Sequence, residues 1–156
     1  MAGGAKTSEL IARGARLALA AVFVYAGVLK ALDPGGFALA IDNYHLLPFP
    51  LAATLALYLP WLEILCGFGV LWPRLRLGAL GLLAGLCLVF TGALALALVR
   101  GLDIDCGCFG HGLDGRPALI ASLVRAVLLA VVAAVLLRRE GKVQTETTKK
   151  PGTMKL

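Results

Sequence analysis

Charge is scarce in this chain. Only 15% of its 156 residues are Asp, Glu, Lys or Arg, about three fifths of the ~25% usual in a soluble domain. That is too little polar surface to cover a soluble fold of this length. Histidine is nearly absent, with two residues in all. Neither lies in an apolar run, so no b-type haem ligand sits at membrane depth, and no Cys-x-x-Cys-His motif offers covalent haem attachment. A P-loop and a dinucleotide-binding glycine pattern are both missing. The net charge is +6, yet no basic helix or basic–aromatic patch goes with it, which argues against nucleic acid as a partner. What the chain does have is apolar sequence. Sixty per cent hydrophobic residues and a mean hydropathy of +0.88 describe a small integral membrane protein with room for about four spanning helices.

The apolar residues fall into runs at 17–32, 49–72, 77–99 and 118–137. Each is read as a span of one all-α, four-helix membrane domain over 17–137. Residues 1–16 are read as a polar N-terminal segment and 138–156 as a charged, disordered tail. The first run stops at Asp33-Pro34, an N-cap followed by a first helical position. Phe37, Ile41 and Tyr44 then recur at helical spacing, which predicts a short amphipathic helix near the membrane surface, closed by Pro48 and Pro50. Pro60 is placed to kink the second span. In the third, Gly81-x-x-x-Gly85 invites close approach of a neighbouring helix.

Four spans put the N-terminus, the 74–76 turn and the tail on one face. That face holds Lys6, Arg13, Arg16, Arg74, Arg76, Arg138, Arg139, Lys142, Lys149, Lys150 and Lys155. The opposite face holds Arg100 and Arg116, together with Asp33, Asp42, Asp103, Asp105 and Asp114. The positive-inside rule therefore places both termini in the cytoplasm and the 100–117 loop outside it. In a bacterial cell that loop lies in the oxidising periplasm.

The loop carries the sharpest motif of the chain, Asp105-Cys106-Gly107-Cys108-Phe109-Gly110. A disulfide across one intervening residue closes a very small ring, is strained and is easily reduced. Gly107 tolerates the backbone angles such a ring demands. Cys106 and Cys108 thus read as a redox-exchanging pair, with thiol–disulfide oxidoreductase as the candidate activity. His111, when charged, would lower a nearby thiol's pKa, and Asp105 would oppose it. Two other readings stay open: a structural disulfide that pins the loop in a non-enzymatic assembly factor, and soft-metal binding or transport by Cys106, Cys108, His45 and His111. Cys66 and Cys87 lie inside apolar runs and read as small buried hydrophobes.

Three charges fall within spans. Lys30 lies about 20 Å above the cytoplasmic end of its run, Glu63 about 13 Å above its own, and Arg125 about 10 Å below the outer end of the fourth. Charges at such depth are costly, so they are paired or functional. Glu63 is within reach of either base. Two readings stay open: the bases snorkel outward with Glu63 in a structural pair, or the three outline a polar pocket under the cysteine loop, fit for a membrane quinone, a proton or a partner's thiol. Tyr25, Tyr58 and Trp61 are near enough in sequence to line it.

The Asp105–Gly110 motif resembles the signature of the methylamine-utilisation MauE family. So do Gly27-Val28-Leu29-Lys30-Ala31 followed by Asp33-Pro34, and Pro60-Trp61-Leu62-Glu63. That family belongs with the DoxX-like redox-associated membrane proteins, and the similarity covers roughly 14–138. The resemblance implies a four-helix bacterial inner-membrane protein. It also implies a periplasmic thioredoxin-like partner and an exported client such as the disulfide-rich small subunit of methylamine dehydrogenase. The family's cysteines map onto Cys106 and Cys108 and its membrane carboxylate onto Glu63, while Cys66 and Cys87 are outside the pattern.

Overall fold

The computed structural model describes residues 3–101 and 116–149. Those residues form five α-helices and no strand: α1 (Gly3–Leu32), α2 (Pro34–Asp42), α3 (Phe49–Leu71), α4 (Arg76–Val99) and α5 (Arg116–Lys149). Four of them are long and apolar enough to cross a bilayer, over Thr7–Leu32, Phe49–Leu71, Arg76–Val99 and Leu119–Lys142. The chain is a helical membrane bundle with one short extra helix after the first span.

The punctuation between helices is local chemistry. Asp33 caps α2 as its sequence predicts: its carboxylate accepts from the Gly36 N–H at 2.8 Å and its carbonyl from the Phe37 N–H at 3.1 Å. The first satisfies an N–H that the opening turn leaves without a helical partner, and the second is the first bond of the helix itself. Between α3 and α4 the turn is very short. The Leu75 and Arg76 N–H groups both donate to the Trp72 carbonyl, at 3.1 and 3.0 Å, so the two helices run antiparallel. Gly101, at φ 69°, follows α4 in the left-handed conformation that glycine adopts without strain.

α1 packs on α3, α4 packs on α5, and α3 joins the two pairs. The main core is built from Leu19, Phe23, Cys66, Val70, Leu80, Leu83, Cys87 and Leu136. The short helix α2 is not loose on the surface. Its Phe37, Ala38 and Ala40 pack on Ala56 of α3, and Tyr44 packs with Leu94, Ala97 and Leu119 of α4 and α5. Outward-facing Leu65, Val89 and Leu128 stand exposed, as expected of side chains whose solvent is lipid rather than water.

Three expectations change. Helix α1 begins at Gly3, well before the apolar run, and α5 continues to Lys149 where an irregular tail was expected. The ends of both helices are held by ionic contacts. Arg16 of α1 meets Glu140 of α5 at 3.3 Å, Arg76 of α4 meets the same carboxylate at 3.3 Å, and Arg139 donates to the Ser8 hydroxyl and carbonyl. Anchored in this way, α5 continues past its apolar run through Arg139 and Glu140. These contacts also place the N-terminal part of α1 and the C-terminal part of α5 at the same end of the bundle. The third change concerns glycine: a Cβ at Gly81 or Gly85 would meet nothing within 4 Å, so that pair marks no close helix approach inside the protomer. The close approach lies elsewhere, between α1 and α3.

Candidate functional site

The geometry starts from two glycines. A Cβ on Gly27 of α1 would fall 2.8 Å from the Pro60 carbonyl oxygen and 2.8 Å from Ile64 Cγ1. A Cβ on Gly67 of α3 would fall 2.7 Å from Val24 Cγ2 and 3.2 Å from the Ala20 carbonyl. Only hydrogen fits at either position, so α1 and α3 touch backbone to backbone here. The same approach brings Glu63 level with Gly27, its Cβ 3.3 Å from where a Gly27 Cβ would lie, and Lys30, one turn further along α1, reaches the carboxylate with its long side chain.

Lys30 Nζ donates to both carboxylate oxygens of Glu63, at 2.6 and 2.8 Å. Both residues are almost wholly enclosed, with Lys30 4% and Glu63 2% exposed. The ammonium also lies 5.2 Å from the centre of the Phe37 ring and 5.0 Å from that of Phe90, within cation–π range. A charge in hydrocarbon carries a large desolvation penalty. Here a bidentate counter-ion and two aromatic faces offset it. Among the described residues, no buried side-chain nitrogen or oxygen lacks a hydrogen-bond partner.

Beside the pair is a cavity of about 60 Å³ lined by Lys30, Glu63, Cys87, Phe90, Ser122 and Arg125 among others. The three intramembrane charges therefore converge on one space contributed by α1, α3, α4 and α5. Glu63 has chosen Lys30 as its partner; Arg125 borders the cavity from α5 while remaining partly exposed. At this size the cavity is well below the ~150 Å³ that admits a benzene ring. Tyr25, Tyr58 and Trp61 do not line it. They are 58%, 68% and 59% exposed and point away from the pair, toward lipid, where amphipathic rings are at home.

Sequence reasoning missed three participants. Phe90 gives no sequence signal, being one apolar residue in an uncharged run. Gly27 stands in the motif that carries Lys30, but its part in closing the helices shows only in three dimensions. Cys87 is buried at 4% exposure and belongs to the same core as Cys66, as its apolar surroundings suggest, yet it also borders the cavity beside the Lys30–Glu63 pair.

Cys106, Cys108, Asp105 and His111 lie outside the described residues. Their segment joins the end of α4 to the start of α5. His45 is exposed and follows α2 with a left-handed backbone, φ 49°. Among the described residues, no group of three or more His, Cys, Asp or Glu is placed to hold a metal ion.

Four membrane-length helices closed around a buried lysine–glutamate pair define a small polytopic membrane protein. Residues 8–139 match the family model described as methylamine utilisation protein MauE, and the chain belongs to that family. It is 36% identical over 136 residues to the methylamine utilization protein MauE of Methylophilus methylotrophus, covering 84% of this chain and 72% of the relative. It is 35% identical over 121 residues to the protein of that name from Paracoccus denitrificans, covering 77% and 65% respectively. The Paracoccus versutus protein is 34% identical over 122 residues, covering 76% of this chain and 66% of the relative. No solved structure matches the chain.

Proposed function

We propose that this protein serves methylamine utilisation as an inner-membrane thiol–disulfide component. Cys106 and Cys108 exchange with a periplasmic thioredoxin-like partner during maturation of an exported protein. Membership of the MauE family supports the pathway. The observation that carries the redox reading is the Cys106-Gly107-Cys108 sequence between α4 and α5, at the end of the bundle opposite the arginine-rich termini. One thiolate attacks a disulfide sulfur to form a mixed disulfide, and the second resolves it. Two electrons pass between the pairs, so that one disulfide forms as the other is reduced, with the protons exchanged to solvent.

In this reading both termini are cytoplasmic and the cysteine segment is periplasmic. The eleven basic residues on the terminal face support that orientation. The Lys30–Glu63 pair is a positioning element. It fixes α1 against α3, and through the Phe37 ring holds α2 beside them.

The test is trapping. With Cys108→Ser, the Cys106 thiolate can still attack but the mixed disulfide cannot be resolved, so a covalent adduct with the thioredoxin-like partner accumulates on non-reducing gels. No adduct, with maturation of the exported client retained in both single Cys→Ser variants, overturns the redox role.

A further inference from the structure

At the end of the bundle that holds the N-terminus, α1, α3 and α4 surround a second, larger pocket of about 480 Å³. One wall is cationic. Arg13 and Arg16 reach in from α1 and Arg76 from the start of α4, with Glu9 between them. The other wall is apolar, made by Leu17 at the start of the first apolar run and by Val70 and Leu71 at the end of α3. The pocket therefore sits where the hydrocarbon-facing parts of α1 and α3 give way to charge.

Two of its arginines, Arg16 and Arg76, are held in place. Arg16, whose side chain is 8% exposed, contacts Glu9 at 3.0 Å and Glu140 at 3.3 Å and donates from Nε to the Ala12 carbonyl at 3.1 Å. Arg76 contacts Glu140 at 3.3 Å and donates from Nε to the Val70 carbonyl. Arg13 meets Glu9 at 3.3 Å, with its side chain 72% exposed. Three guanidinium groups thus face two carboxylates, an excess of positive charge fixed in a concave site. Trp72, 65% exposed, follows Leu71 of the apolar wall in sequence, and tryptophan is enriched at the head-group layer.

We infer that this pocket binds the phosphodiester of an anionic phospholipid. The guanidinium groups take the phosphate oxygens, and the Leu17–Leu71 wall takes the first methylenes of the acyl chains. A basic pocket between spanning helices at the membrane surface is the arrangement expected for such head groups. The apolar wall is what separates this site from one for a free anion. In the orientation proposed above, the lipid lies in the cytoplasmic leaflet; the site itself does not depend on that orientation.

The experiment uses the full chain in a neutral detergent, titrated with phosphatidylglycerol, cardiolipin, phosphatidylcholine or inorganic phosphate, with bound lipid counted by native mass spectrometry. The anionic lipids are expected to bind in preference to phosphatidylcholine. Arg13→Gln, which removes only an exposed side chain, is expected to weaken them about fivefold, and Arg13→Gln/Arg76→Gln at least about tenfold. Arg100→Gln/Lys142→Gln, with the same loss of net charge, is expected to bind as the unaltered protein does. Equal weakening by the two double variants, or no effect of Arg13→Gln, overturns the inference. Saturation of the site by inorganic phosphate with no lipid preference overturns it in favour of a soluble anion.

Discussion

A lysine and a glutamate enclosed in a membrane bundle stabilise each other only as a pair. Lys30 and Glu63 are 2.6 Å apart at their nearest atoms and nearly inaccessible. Removing one leaves the other charged and unpaired, or forces it to change protonation state. Lys30→Met is therefore expected to cost roughly 3–5 kcal/mol, and Glu63→Met a similar amount. The double variant is expected to cost clearly less than the sum, because it removes both desolvation penalties together. Thermal unfolding of the four proteins in one detergent gives the coupling; additive losses would show that the pair is not the unit. The presence of charge at this depth was legible from the sequence, since each of these side chains interrupts an apolar run. The choice of partner was not. Lys30 and Arg125 were both within reach of Glu63, and the decision rests on how closely α1 and α3 approach, which no residue count reveals.

At the scale of the element, that approach is set by glycine, and the informative glycines are not those that spacing suggests. Gly81 and Gly85 have the four-residue period of a packing motif but face open space. Gly27 and Gly67 share no helix and no period, and their significance comes from facing each other's helices across α1 and α3. Gly27→Ala is expected to destabilise by about 1–3 kcal/mol. The added methyl collides with the Pro60 carbonyl, which is backbone and cannot rotate away. Gly81→Ala and Gly85→Ala are expected to leave stability unchanged or to raise it by up to about 1 kcal/mol, since alanine is the better helix former. Melting curves of the three variants check this; a neutral Gly27→Ala would mean that the helices lie further apart than described. Element boundaries divide in the same manner. The stop at Asp33-Pro34 was legible because its chemistry is local; α2 itself ends at Asp42, six residues before the Pro48 expected to close it, and Pro48 instead caps the start of α3. The continuation of α5 past its apolar run to Arg139 and Glu140 was not legible, because it depends on these two meeting Arg16, Arg76 and Ser8 from distant parts of the chain.

On the scale of the whole molecule the two ends of the bundle differ in chemistry. One end gathers Arg13, Arg16, Arg76 and Arg139 with Glu9 and Glu140, at the start of α1 and the far part of α5. The other holds the close of α1, the short helix α2, the end of α4 and the start of α5. The four apolar runs made the span count readable directly, and an even count placed both termini together, as the Arg139–Ser8 contact does. The compartment at each end follows from the charge asymmetry and is open to a direct measurement. In intact spheroplasts treated with a mild reductant, a membrane-impermeant maleimide is expected to label Cys106 and Cys108. Cys66 and Cys87, 6% and 4% exposed within the core, are expected to stay unlabelled until the protein is denatured. A Cys106→Ser/Cys108→Ser variant is then silent in the native membrane and takes up two labels per chain in denaturant. Labelling of the pair only after the inner membrane is opened would reverse the orientation and take the cysteines out of the oxidising compartment. The proposed exchange would then lose its partner, while the buried ion pair and the lipid pocket would stand as described.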